Sequence, residues 1–201
     1  MQRLALTFDD GPGDCTEPIL DLLGAHSARA TFFLIGSAAE ARRDVVRRIR
    51  AEGHELGNHT WSHPRLARDC DDARVREELA SVNALVTEVV GDAPTRFRAP
   101  RYDVDARVLA IAGSLGLIHT RGDITPPDWD ERCTGAYITT FVIQQARPNA
   151  IVGLHDGVPP QSAGTRTQRA TVDALAKILP RLEGLGYECV TASELLAPGQ
   201  E

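Results

Sequence analysis

Short apolar runs alternate with segments of helical periodicity along almost the whole chain, and that rhythm restricts the architecture more than any single motif. Leu4 to Phe8 is a first apolar run, and Ile19, Leu20, Leu22 and Leu23 then mark a helix with Pro18 in its first turn. Ala30 to Ile35 predicts a second buried strand, followed by a helix in which Ala41, Val45 and Ile49 recur until Gly53, and a third strand over His54 to Gly57. The longest helix has Asp71 or Asp72 as its cap, Val75, Leu79, Val82, Val86 and Val89 on one face, and Gly91 at its end. Beyond it, Thr95 to Ala99 reads as a strand stopped by Pro100, Ala106 to Leu115 as a helix, and Leu117 to Thr120 as extended. Ile138 to Ala146 and Ala170 to Leu182 are helical, Ala150 to Leu154 and Tyr187 to Val190 extended, and Ser193 to Leu196 forms a last turn.

About seven strands alternating with helices across short connections predict a parallel sheet covered by helices. A closed or nearly closed α/β barrel is the expected form, and no GxGxxG or GxxxxGK[ST] follows any strand to support a nucleotide-binding fold. Residues 1–197 read as one domain and 198–201 as a flexible tail.

A chain of 201 residues is long enough to bury a core without staples, and a formal charge of -6 argues against a surface built for nucleic acid or anionic lipid. The basic run Arg42, Arg43, Arg47, Arg48 and Arg50 is the solvated face of a helix. Cys15, Cys70, Cys133 and Cys189 are scattered without a CxxC pair, which predicts buried free thiols. The first apolar run begins at Leu4, leaving no room for a leader, and no stretch is long enough to span a membrane, so a cytoplasmic protein is expected. Oligomeric state is not legible.

In such a fold the reactive residues belong at the C-terminal ends of the strands. Asp9 and Asp10 follow the first strand in Thr7-Phe8-Asp9-Asp10-Gly11-Pro12, His59 and His63 the third, and Arg98 the fourth. Asp123 and Asp128 follow the fifth, and His155 with Asp156 the sixth, whereas His26, His54 and His119 fall outside the set as packing or surface residues. Neighbouring Asp residues at a strand end point to different sides of the backbone, so one is free to bind a metal while the other handles a proton.

His59 and His63 are four apart, and one helical turn would aim both imidazoles the same way, though Pro64 keeps that turn from extending. HExxH is absent, because His54-Glu55 is followed by His59 at the wrong spacing. Adding one Asp gives a two-His, one-carboxylate set that suits zinc with open water positions and also non-haem iron. Hydrolysis is favoured by the surplus of a second carboxylate, a third histidine and an arginine, with an iron oxygenase as the runner-up chemistry and a binding protein that keeps the site without turnover as the third reading.

These residues resemble the polysaccharide deacetylases with the NodB homology domain, the family-four carbohydrate esterases. Thr7-Phe8-Asp9-Asp10-Gly11-Pro12 matches the first family motif and His59-Thr60-Trp61-Ser62-His63-Pro64 the second. Phe97-Arg98-Ala99-Pro100 resembles the third, Asp128-Trp129 the end of the fourth, and Ile151-Val152-Gly153-Leu154-His155-Asp156 the fifth. The resemblance spans nearly the whole chain. It implies a single-domain distorted (β/α)7 barrel that removes acetyl groups from N-acetylated sugars or, in some members, O-acetylated ones. It also implies one divalent metal ion, first zinc, with cobalt or nickel as alternatives. Carried over by position, Asp10, His59 and His63 would hold the metal, Asp9 would be the base, Arg98 its orienter, His155 the acid and Asp128 its partner. Pro100, Arg101, Tyr102, Trp129 and Leu154 would meet the substrate, while Asp123, Asp156 and Trp61 receive no catalytic role.

Two positions depart from the family pattern. After Pro100 an aromatic residue and Gly are usual, but this chain has Arg101, Tyr102 and Asp103; the fourth motif usually begins with Asp, but here Thr125 stands there. Metal chemistry is expected to survive both. Arg101 could turn the substrate surface towards an acidic or phosphate-bearing acceptor. The expected substrate is an acetylated chito-oligosaccharide, peptidoglycan, xylan or a small acetylated metabolite.

Overall fold

The computed structural model describes residues 2–162 and 168–197; the expected tail at 198–201 lies outside these described residues. Strand β1 (Gln2–Asp9) runs through the centre of the molecule, and Leu4 to Phe8 have no solvent exposure. A continuous apolar run is what a parallel strand covered on both faces requires. Its first half, Gln2 to Ala5, pairs with β7 (Tyr187–Val190), and its second half, Leu6 to Asp9, with β2 (Ala30–Leu34). Strand β6 (Ile151–His155) pairs with Ala5 to Asp9.

From β2 the sheet continues through β3 (Glu55–Asn58), β4 (Arg96–Phe97) and β5 (Ile118–His119), all parallel. The order is β5-β4-β3-β2-β1-β6, with β7 added on β1. The chain leaving β5 then meets β6 through a parallel bridge, Ile124 to Val152, which joins the two ends of the sheet into a distorted barrel. The register brings the strand ends level: Asp9 lies opposite Phe33 and His155, Leu34 opposite Asn58, and Asn58 opposite Phe97. Asp9, His59, Arg98 and His155 therefore emerge at one rim.

The helices are α1 (Thr16–Ala25), α2 (Gly36–Ala41), α3 (Arg43–Ala51), α4 (Leu66–Asp69), α5 (Asp72–Val90), α6 (Ala106–Ser114), α7 (Gly135–Gln145), α8 (Arg169–Gly184) and α9 (Ala192–Leu195). Helix α5 is capped by Asp71, whose carboxylate accepts from Arg74 N at 2.8 Å, and is closed by Gly91 at φ 89°. Only glycine adopts that conformation without a Cβ penalty.

The single helix expected up to Gly53 is two, α2 and α3, separated at Arg42, which has φ -135° and ψ 49°. The apolar spacing across the break still buries Ala39, Val45, Val46 and Ile49, so periodicity alone does not reveal it. On the outer side of α3, Arg43 pairs with Glu40 and Glu88, Arg48 with Glu17, Asp21 and Glu52, and Arg50 with Asp92. All four cysteines are free; Cys15 and Cys189 are buried, while Cys70 and Cys133 are half-buried, short of the expected burial. Among the described residues no helix is long and apolar enough to cross a membrane.

Candidate active site

The turn after β1 separates the two aspartates. Asp10 takes a left-handed conformation, φ 73°, which Asp tolerates better than most residues, so its side chain leaves in a different direction from that of Asp9. The turn is packed backbone against backbone: a Cβ on Gly157 would stand 2.2 Å from Asp10 O, and one on Gly11 only 2.1 Å from Asp156 Oδ2. Asp156 is buried and accepts from the Thr16 hydroxyl at 2.5 Å, and Thr16 Oγ1 in turn accepts from Gly13 N at 2.7 Å. Burial first, against the Thr16 hydrogen bond and with the charges of Asp10 and Asp9 added, pushes the Asp156 carboxyl up to about 7.

His59 and His63 do not lie on a helical turn, contrary to the sequence expectation. Thr60 and His63 have φ 69° and 61°, and the loop folds back on itself. Asn58 Oδ1 accepts from Thr60 N at 2.9 Å, and Thr60 Oγ1 accepts from His63 N at 3.0 Å. Glu78, 1% exposed on α5, accepts from Ser62 N at 2.8 Å and from its hydroxyl at 2.7 Å. Local side-chain bonds thus replace the helical ladder and still bring the imidazoles together, with ring centroids 5.1 Å apart. Asn58 and Glu78 were not among the expected site residues. For Glu78 a signal existed, since it lies between Val75, Leu79 and Val82 on the buried face of α5.

His59 Nδ1 donates to Arg98 O at 2.7 Å, which leaves Nε2 facing Asp10; burial lowers the pKa of this ring, but the charges of Asp9 and Asp10 outweigh it and hold it above its ordinary value, so an ion bound there would displace a proton from Nε2. Both His59 Nε2 and His63 Nε2 stand 3.3 Å from Asp10 Oδ1. That oxygen is buried and makes no hydrogen bond of acceptable geometry to either ring. Burial pushes the Asp10 carboxyl up, but the neighbouring His59 and the charges of His155 and His63 outweigh it and hold the group below its ordinary value. Burial, with the neighbouring His59 adding to it, pulls His63 down to about 4, so the ring is neutral at pH 7. An orphaned carboxylate oxygen between two imidazole nitrogens, with one ligand atom from each residue all within 4.8 Å of one another, is a donor set that fits a divalent ion.

Asp9 faces the other way. Its Oδ1 accepts from Arg98 Nη1 at 2.8 Å, and Arg98, 1% exposed, also donates to Thr7 Oγ1 at 2.8 Å and to Thr120 O at 3.0 Å. The guanidinium stacks over Phe33, 4.2 Å from the ring centroid. A charge so deeply buried persists only when paired and bonded in this way.

A second carboxylate and cation pair closes the opposite wall. Asp128 Oδ1 is 2.7 Å from His155 Nδ1, and Asp128 Oδ2 accepts from His155 N and Thr171 Oγ1, each at 2.8 Å. Burial alone would lower the His155 pKa, but Asp128 with help from Asp10 and Asp9 raises it to about 10, so the ring is protonated at neutral pH.

These groups open onto a cavity of about 680 Å³. Asp9, Asp10, His59, His63, Arg98 and His155 line it together with Arg101, Tyr102, Thr125 and Trp129. Two expected substrate contacts are elsewhere: Leu154 is wholly buried in the main core, and Pro100 is buried and does not line the cavity. Gln168, whose side chain donates to Gly157 O at 3.1 Å, lines the cavity without having been expected to. Asp123 is structural, accepting from Ile151 N at 2.8 Å, and Trp61 packs against the core beside Gly36.

Residues 1–119 match the polysaccharide deacetylase family. A chitooligosaccharide deacetylase of Bradyrhizobium is 40% identical over 189 residues, 91% of this chain and 85% of that protein. A peptidoglycan-N-acetylglucosamine deacetylase of Bacillus cereus is 34% identical over 200 residues, 99% of this chain and 70% of that protein. Among solved structures, a family 4 acetyl xylan esterase of Clostridium thermocellum in complex with a cobalt ion superposes with a TM-score of 0.84 and 33% identity, over 96% of this chain and 90% of that one. The likeness extends across the barrel and every strand end that carries the site, and the chain belongs to the polysaccharide deacetylase family, whose members here are hydrolases acting on acetylated carbohydrates.

Proposed function

We propose that the protein hydrolyses the acetamide of an N-acetylated amino sugar, with a divalent ion, zinc in the first place and cobalt or nickel as substitutes, held by Asp10, His59 and His63. The observation that carries this reading is the orphaned Asp10 oxygen between two imidazole nitrogens, flanked in one cavity by Asp9 with Arg98 and His155 with Asp128. The relatives that act on chitooligosaccharide and peptidoglycan N-acetylglucosamine support that substrate class.

An ion bound there would supply Lewis-acid polarisation and lower the pKa of water towards neutrality. Asp9 accepts the proton of the attacking water, and the Arg98 hydrogen bond keeps that carboxylate aimed. Water oxygen bonds to the acetyl carbon, which becomes tetrahedral; the Arg101 backbone N–H at the rim is the proposed donor to its oxyanion. His155, protonated through Asp128, gives the leaving nitrogen a proton as the carbon–nitrogen bond breaks, leaving acetate and a free amine. Each proton transfer is worth about 10²–10⁴ in rate.

Acetate release from N-acetylglucosamine oligomers is the direct test. The metal-loaded protein should release acetate, a chelator should abolish the release, and added zinc should restore it. Release that ignores the chelator, or none from any acetylated sugar, contradicts the reading. The acetyl xylan esterase likeness supports a second arm on O-acetylated xylan, where the leaving oxygen depends less on His155.

A further inference from the structure

The charge around the cavity is not balanced. Of the charged side chains on its wall, Asp9 is paired with Arg98, and Asp10 lies between two histidines. Arg101 also lines the wall, yet it makes no ion pair or side-chain hydrogen bond among the described residues. Three more arginines without an acidic partner among the described residues lie on segments that touch the Arg101 turn: Arg65 and Arg68 at α4, which Asp103 ties to it, and Arg121, whose guanidinium lies 5.0 Å from the Tyr102 ring centroid. Arg43, Arg48, Arg50, Arg74, Arg107 and Arg132 are paired with carboxylates, while Arg76, Arg96 and Arg181 bond hydroxyls or a backbone carbonyl; Arg101 has neither kind of partner. A chain with a formal charge of -6 has carboxylates to spare. Two acids beside Arg101 and Arg121 are engaged with backbone: Asp103 Oδ2 accepts from Ala67 N at 3.0 Å and Arg68 N at 3.1 Å, and Asp123 accepts from Ile151 N.

The base of the Arg101 side chain is also fixed. Arg101 and Tyr102 occupy consecutive left-handed conformations, φ 57° and 55°, which non-glycine residues adopt only where surrounding contacts impose them. Those contacts are the Asp103 clamp on α4 and the Tyr102 hydroxyl, which accepts from Gly122 N at 3.2 Å. From this fixed base the exposed Arg101 guanidinium offers a planar fork that matches carboxylate and phosphate oxygens.

We infer that the acetylated acceptor carries a negative charge, a carboxylate or a phosphate, received by Arg101 on the cavity wall, with Arg65, Arg68 and Arg121 providing the surrounding positive field. The inference rests on the deacetylase reading above and names the substrate class of that site. Arg101 is then a specificity-determining residue, and a neutral sugar of equal size leaves its guanidinium without a partner.

The test compares three monosaccharides with the metal-loaded full chain: N-acetylglucosamine, its 6-phosphate, and N-acetylmuramic acid with its lactyl carboxylate. At least one charged acceptor should exceed the neutral one in kcat/KM by about tenfold, the order expected from one charge-assisted hydrogen bond. Which of the two does so distinguishes phosphate from carboxylate. The ratio of charged to neutral should approach one in Arg101→Gln and at high salt, and recover in part in Arg101→Lys. Equal rates for all three, or a preference that survives Arg101→Gln, overturn the inference. Binding of deacetylated products separates it from the underlying reaction: glucosamine 6-phosphate or muramic acid should bind about tenfold tighter than glucosamine, with Arg101→Gln removing the difference. If that binding preference is seen without acetate release from any sugar, the anion site stands and the deacetylase reading falls. If neither charged product binds more tightly, the anion site falls whatever the turnover.

Discussion

The barrel has a thick side and a thin side. Strands β1, β2, β3 and β6 are 8, 5, 4 and 5 residues long and carry or adjoin Asp9, Asp10, His59 and His155. Strands β4 and β5 are two residues each, and the chain leaving them forms the rim: the Pro100–Tyr102 turn and the segment from Thr125 to Trp129. On the thick side the sheet register brings the strand ends that carry Asp9, His59 and His155 level, and side-chain bonds finish the aim of His63 and His155. On the thin side Arg98 has little ladder to hold it, and is fixed instead by its bonds to Thr7, Asp9 and Thr120 and by stacking on Phe33. Groups that need sub-ångström placement sit on long strands or are tied by several side-chain bonds, while groups that meet the substrate sit on loops where the sheet is thinnest.

That contrast is sharpest where the two sides meet, at Asp128 and His155. Asp128→Asn should lower kcat by about 10²–10⁴, with metal content unchanged. The His155 pKa is raised to about 10, so the basic limb of the pH profile should move from that region towards an ordinary histidine value in the variant. The stability sign follows the same shift. A raised folded-state pKa contributes stability fully below the unfolded value and loses it as pH climbs through about 10, so wild type and variant should differ most below about pH 6.5 and converge above about pH 10. A pH profile that does not move breaks the assignment of Asp128.

A smaller effect is expected beneath the metal set. Glu78→Ala leaves Ser62 N and its hydroxyl without their acceptor, and the two-imidazole turn loosens. Metal affinity should fall about 10–100-fold while the retained activity at saturating zinc stays substantial, as titration with a zinc chelator would read. The smallest effect belongs to the thin side. Trp129, 53% exposed at the cavity mouth, should on substitution by Ala raise KM a few-fold, roughly the loss of one apolar contact, and leave metal content and the pH profile alone. A Trp129→Ala variant that lost its metal would erase the distinction between the two sides.

Legibility in the sequence divides along the same line. The strand and helix alternation, the Asp71 cap and the Gly91 terminator are local signals and predict their elements closely. Asp9, Asp10, His59, Arg98 and His155 stand at strand ends, so placing the strands places them. Spacing could not convey conformation set by distant partners. The His59–His63 turn is non-helical because Asn58 and Glu78 bond it, the latter 16 residues away from Ser62. Thr171, 43 residues from Asp128, and Thr16, 140 from Asp156, complete networks that no local pattern announces. Leu154 belongs to a five-residue strand, and burial, not the cavity, claims its side chain. The break at Arg42 escapes because the apolar spacing persists across it.

The central claim is the division of labour between adjacent aspartates, Asp9 for the proton and Asp10 for the ion, and metal content measured alongside acetate release in Asp9→Asn and Asp10→Asn tests it most directly. The account predicts that Asp9→Asn keeps its divalent ion and releases acetate about 10²–10⁴ more slowly, whereas Asp10→Asn loses the ion along with activity. A fully active Asp9→Asn, or one that has lost the ion while Asp10→Asn retains it, would contradict the account.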